Sequence, residues 1–244
     1  PATCNSCPLF GDGFGFTVAD GTGANDVLLV GEASGEFEEK AGVPFVGKAG
    51  MRLTQMLKQG RLERENFRLH NVLSCRPGLE NKLSGMPYEQ AAITHCAPNL
   101  DGTIAAMQPK CIVALGAIPM QRLLGFSKAA HITAHRGYTF WSDRYRTWVV
   151  PTFHPSYLMR GQDHLTPFFI EDVKHAVRVA AKGYAYATPV LHRDPSPGAF
   201  TRWVQRFEAY AAQAPWARLA FDVETPYKLA AGDVAPEDLT FEDP

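Results

Sequence analysis

No run of roughly 20 apolar residues occurs in this 244-residue chain, so the sequence predicts no membrane-crossing helix. No basic segment followed by an apolar one opens it, which gives no secretory leader and makes a cytoplasmic protein the expectation. Net charge is nearly missing as well: a formal value of −1 argues against a chain that coats nucleic acid by bulk charge. Disorder is excluded by a hydrophobic content of 45%, enough for a sizeable core. The charges present are unevenly divided, 19 Lys and Arg against 16 Asp and Glu through Gly183 and 5 against 9 beyond it. A local groove can still focus a positive field on phosphates, since local fields matter more than totals.

Cysteine is scarce too, five in all, and unevenly spaced. Cys4 and Cys7 form a C-x-x-C, which without a secretion signal points to metal or redox chemistry before disulfides. Cys111 sits in the apolar run "KCIVALG", where a free cysteine behaves as a small hydrophobe. That leaves Cys4, Cys7, Cys75 and Cys96. Four thiolates suit zinc in a structural domain or an iron-sulfur cluster, and spacing alone does not separate the two.

What is plentiful is alternation. "DVLLVG", "NFRLHNVLSC", "CIVALG" and "TWVVPTFHP" read as strands. "AGMRLTQMLKQG", with Met51, Leu53, Met56 and Leu57 as its apolar positions, reads as a helix. So do "PYEQAAITHCAPNLDGTIAAMQ", "AIPMQRLLG" and "PFFIEDVKHAVRVAAKG". Strands separated by helices predict an open α/β sheet with ligand loops at the carboxyl ends of its strands. The chemically distinctive segments "GEASGE", "NVLSCRP" and "HPSYLMRG" all fall at such ends.

"GEASGEFEEKAGVPFVGKAG", "HNVLSCRP", "THCAPNL", "IVALGAIPMQRLLG" and "FHPSYLMRG", in this order behind a C-x-x-C, resemble the family 4 uracil-DNA glycosylases, the iron-sulfur branch of their superfamily. The resemblance covers roughly residues 4 to 181. It implies a three-layer α/β/α fold around a central, mostly parallel four-stranded sheet, followed by a partial C-terminal segment. It also implies a 4Fe-4S cluster on Cys4, Cys7, Cys75 and Cys96, and so favours iron over zinc.

The chemistry so implied can be rebuilt from the residues. Uracil in a duplex must be flipped into a pocket, and breaking its N-glycosidic bond leaves positive charge on the sugar and negative charge on the base. Glu32, at the tip of the first strand, would face the sugar or orient water, with Glu38 or Glu39 able to share that role. His154 would donate to the uracil carbonyl, Asn71 would read the edge of uracil and Phe45 would stack on it. Backbone groups of Ala33 and Gly35 would complete the pocket. Lys48, with Gly47 and Gly50, would open a helix onto a phosphate, Ser156 and Arg160 would grip the DNA backbone, and Leu158 or Met159 would wedge into the vacated stack. The expected partner is uracil-containing DNA, single- or double-stranded, and the expected state is a monomer.

Two departures from the family pattern matter. Ala33-Ser34 stands where relatives carry a residue followed by proline, which predicts a looser turn. The proline and asparagine run after the third cysteine is absent from "CRPGLENKLSGMPYEQ". A non-catalytic uracil-sensing module is therefore the second expectation. Residues 1–183 read as the glycosylase-like domain, 184–216 as linker and helix, and 217–244 as the start of a further domain. "ARLAFDVETPY" resembles the first motif of DnaQ-like 3'-5' exonucleases of family A DNA polymerases, with Asp222 and Glu224 on one strand face. The expectation is a fusion to a replication polymerase in a longer natural protein, without exonuclease activity in this stretch.

Overall fold

A computed structural model describes residues 2–10, 15–78 and 80–182. In chain order it contains β1 (Val27–Ala33), α1 (Glu36–Ala41), α2 (Lys48–Gln59), β2 (Arg68–Leu73), α3 (Glu89–Met107) and β3 (Cys111–Leu115). There follow α4 (Ala117–Leu124), α5 (Ile132–His135), β4 (Phe140–Ser142), β5 (Thr147–Thr152), α6 (Pro155–Leu158) and α7 (Thr166–Lys182). Pro1–Tyr184 groups as one compact unit. The segments 184–216 and 217–244, with Asp222 and Glu224, lie outside the described residues. Among the described residues no helix is long and apolar enough to cross a membrane.

Val27, Leu28, Leu29 and Val30 are all fully buried, because the strand they form is covered on both faces. Val27 and Leu29 pack in one cluster with Leu53, Met56 and Leu57 of α2 and with Phe169, Val173 and Ala176 of α7. Leu28 and Val30 join the other, with Leu100 and Ile104 of α3 and Met120 and Leu123 of α4. Alternation along one strand thus feeds two helical layers, and the result is the expected α/β/α arrangement. In α2 the residues at three- and four-residue spacing are the buried ones, while Met51 is 62% exposed and lies outside the core stripe.

The sheet has five strands rather than four, in the order β2-β1-β3-β5-β4. β1 pairs parallel with β2 and β3, and β3 pairs parallel with β5. The extra strand, β4, runs antiparallel along the edge against β5. Three residues are too few to show a period of two, so no sequence pattern marks it. From β1 the chain passes first to one neighbour and then to the other, so the order reverses between β1 and β3. Such a reversal opens a crevice at the carboxyl ends of the strands.

Candidate active site

β1 carries Glu32 to its carboxyl end, where the side chain is half-buried. Burial raises its pKa above the ordinary carboxylate value; the nearby Glu89 carboxylate adds to the rise and the Arg160 guanidinium opposes it. The other carboxylates of the loop are already engaged. Glu38 is 8% exposed and accepts hydrogen bonds from the backbone N–H groups of Gly35 at 3.2 Å, Val46 at 3.0 Å and Gly47 at 2.8 Å. Glu39 pairs with Arg76 at 3.1 Å. Three amides thus hold Glu38 as the clamp of the loop, and an arginine holds Glu39. Glu32 is left as the loop carboxylate at the strand end.

Phe45 and Asn71 meet on β1. Asn71 is the parallel partner of Gly31, and a Cβ on Gly31 would lie 2.4 Å from both Asn71 Oδ1 and Phe45 Cζ. Only glycine lets the amide and the ring edge come this close to the strand. Phe45 itself adopts φ 59°, a left-handed conformation that costs a non-glycine residue about 1–2 kcal/mol. Its backbone rests on α2, where a Cβ on Gly50 would stand 1.8 Å from the Phe45 carbonyl oxygen. Strain held in place by packing marks functional sites more often than ordinary loops. The backbone carbonyl oxygen of Asn71 lies 2.6 Å from Nδ1 of the preceding His70.

β5 delivers His154 to the same region, its ring centroid 6.4 Å from that of Phe45. The His154 Nδ1 accepts a hydrogen bond from the Ser156 N–H at 3.2 Å, so a neutral ring carries its proton on Nε2 and donates there. Burial and then the Arg160 charge push its pKa down to about 4, which keeps the ring neutral at physiological pH. At the carboxyl end of β3, Gly116 stands close by, since a Cβ there would approach His154 Cβ to 3.3 Å. The ends of β1, β2, β3 and β5 thus converge on one place.

The residues expected to touch DNA divide. Lys48 and Arg160 are exposed, Ser156 is half-buried, and Ala33 and Gly35 sit half-buried beside Glu32. Two expectations are corrected. Leu158 is fully buried in the core and cannot act as a wedge, whereas Met159 is 47% exposed. The Gly47 N–H is bonded to Glu38 and Gly50 is buried against Phe45, so neither opens onto a phosphate.

The looser turn expected at Ala33-Ser34 is corrected as well. Ser34 is fully buried, and its hydroxyl lies 2.8 Å from that of Thr17, which also donates to the Ser74 carbonyl at 3.1 Å. A buried hydrogen-bonded clamp occupies the place of the proline. Sequence reasoning also passed over Glu89, which is 5% exposed, pairs with Lys128 at 2.9 Å and acts on Glu32. Nothing local in "YEQAA" signals this role, because the carboxylate it affects is 57 positions away in the chain.

Cys4, Cys7, Cys75 and Cys96 line one cavity of about 350 Å³ together with His95 and Phe16. Cys75 is half-buried, and its thiol is pushed up to about 12 by burial and by the three neighbouring cysteines. Among the described residues no three His, Cys, Asp or Glu side chains are arranged to hold one metal ion. A single zinc would draw its thiolates to about 2.3 Å from a common centre. Four cysteines on one cavity are the donor set a 4Fe-4S cluster takes, one thiolate to each iron. The Ser74 hydroxyl, buried next to Cys75, has no hydrogen-bond partner in the described structure. Cys111 is fully buried in β3, apart from this group, as its apolar surroundings predicted.

Comparison with known proteins agrees with this geometry. The family model described as the uracil DNA glycosylase superfamily matches residues 20–178. The type-4 uracil-DNA glycosylase of Thermotoga maritima is 38% identical over 175 residues, 71% of this chain and 87% of that protein. That of Sulfurisphaera tokodaii is 37% identical over 161 residues, covering 63% and 70%. That of Archaeoglobus fulgidus is 31% identical over 158 residues, covering 63% and 77%. On the convergent strand ends, the superfamily match and these identities, the chain belongs to the uracil-DNA glycosylase superfamily and, within it, to the type-4 family.

Proposed function

We propose that this chain binds uracil-containing DNA and hydrolyses the N-glycosidic bond of a flipped-out deoxyuridine, leaving an abasic site. The observation that carries this reading is the neutral His154, its Nδ1 occupied by Ser156 and its Nε2–H free to donate, set beside Phe45, which meets Asn71 over Gly31, with Glu32 next along the same strand. Phe45 stacks on the base. The Asn71 amide offers both a donor and an acceptor to the uracil edge and disfavours the exocyclic amine of cytosine. As the bond between C1′ and N1 breaks, its electron pair passes to uracil, and His154 Nε2–H stabilises the charge that reaches the carbonyl oxygen. Donors of this kind are worth about 10²–10³ in kcat. The Glu32 carboxylate faces the positive sugar and orients the water whose oxygen bonds to C1′; the proton that this water loses passes to the carboxylate and ends on the departing uracil anion. Lys48, Ser156 and Arg160 hold the strand, and Met159 enters the gap left by the base.

The four cysteines Cys4, Cys7, Cys75 and Cys96 would hold a 4Fe-4S cluster. When bound, the cluster supplies a cross-link between the N-terminal segment, the end of β2 and α3; no chemical step is assigned to it. A non-catalytic uracil-sensing module is not favoured, because the Ser34 clamp answers the looseness on which that reading rested. The start of an exonuclease-like segment at Asp222 and Glu224, and an attached polymerase, are supported by their sequence motif alone.

The test is excision. Iron-loaded protein incubated with uracil-containing single and double strands, followed by alkali, should cleave at the uracil position. Glu32→Gln and His154→Ala should each lose activity by about 10² or more. Absence of abasic sites from the wild-type protein on both substrates would remove the proposal.

A further inference from the structure

We propose that Asn99 sets the electron affinity of the iron-sulfur cluster by donating its side-chain amide to the sulfur of Cys96. This rests on the cluster reading above. Cys96 is 9% exposed on the inner face of α3, and Asn99 follows three residues later, which on a helix places the two side chains on one face. The Asn99 Nδ2 lies 3.4 Å from Cys96 Sγ. From the other side, the Ser74 N–H at the end of β2 donates to the same sulfur at 3.2 Å. Two elements therefore direct N–H donors at one of the four sulfurs.

The orientation of the amide follows from the chemistry. A metal-bound thiolate has no proton to give, so Asn99 must present its NH₂ rather than its oxygen. An N–H dipole stabilises negative charge on sulfur, and a reduced cluster carries one more negative charge than an oxidised one. Donors to ligand sulfurs therefore favour the reduced form and raise the potential. The Ser74 donor belongs to the backbone and survives any side-chain substitution. Asn99 is the part of the pair that mutation can remove.

The whole chain should be purified without oxygen as wild type, Asn99→Leu, Asn99→Asp and Asn99→Gln. Iron, acid-labile sulfide and absorbance at about 400 nm report cluster loading. A potentiometric titration, in which mediators give or take the single electron, reports the midpoint. Loading should be equal. Asn99→Leu should lower the potential, changing the oxidised-to-reduced ratio by up to about tenfold, equivalent to about 59 mV for one electron. Asn99→Asp, which replaces the donor with a negative acceptor, should lower it further, and Asn99→Gln should return it toward the wild type. Fully loaded variants that share the wild-type midpoint would overturn the role of Asn99 and leave the cluster reading intact. A wild-type protein without iron or sulfide would overturn both.

Discussion

At the scale of single residues, two side chains are tuned in opposite senses by one environment. Burial raises the proton affinity of Glu32 and lowers that of His154, and the Arg160 charge lowers both. In the proposed mechanism the base donor needs no ionisation, since His154 stays neutral until the pH approaches about 4. On that mechanism the acid limb of the pH profile for excision belongs to Glu32. Activity is present while its carboxylate is ionised and is lost as pH falls through its raised pKa. Arg160→Gln removes the charge that favours the carboxylate, so the acid limb should move to higher pH, measured as kcat/KM across a pH series. An unmoved limb would show that another group controls the profile.

At the scale of elements, the loop from Glu32 to Gly50 is held by contacts that its composition conceals. Glu38 closes it with three charge-assisted hydrogen bonds, and Glu38→Ala should cost about 3 kcal/mol in chemical denaturation. Excision should fall at the same time through displacement of Phe45. Gly31→Ala should act on substrate selection instead, because its methyl group would displace both Asn71 and Phe45. The expected outcome is a large drop in kcat/KM for uracil, measured on defined oligonucleotides. Farther along, Asp172 on α7 accepts from Arg136 at 3.0 and 2.8 Å and from Thr152 of β5 at 2.7 Å. This network anchors the strand that ends two residues before His154. Asp172→Ala leaves the buried Arg136 charge without its partner and should cost about 3–5 kcal/mol, read from the same denaturation curves.

At the scale of the whole molecule, the four cysteines gather three segments spread between residues 4 and 96 around one cavity. Cys96→Ser should abolish iron binding and the absorbance at about 400 nm, and should lower the melting temperature. Cys111→Ser should leave iron content unchanged. Its thiol lies fully buried in β3, pushed up to about 12 by burial. Iron analysis and thermal melts of the two variants check both outcomes.

Four strands and four helices were legible in the sequence because apolar spacing reports a regular element directly, as Leu53, Met56 and Leu57 do for α2. The carboxyl-end placement of Glu32, Asn71 and His154 was legible for the same reason, and the order of the motifs supplied the candidate roles. β4, α1, α5 and α6 were not, being too short for a period to emerge. Nor could the sequence separate Glu32 from Glu38 and Glu39, or Leu158 from Met159, since each set shares a chemical character and a neighbourhood. Contacts separated those residues: amides of Gly35, Val46 and Gly47 around Glu38, Arg76 on Glu39, and the core around Leu158. The sequence by itself determined which segments form strands and helices and which chemical groups are at hand, because both depend on neighbouring residues. Tertiary structure alone decided which of those groups remain free to react, because desolvation, hydrogen bonding and ion pairing depend on residues that meet only when the chain is folded.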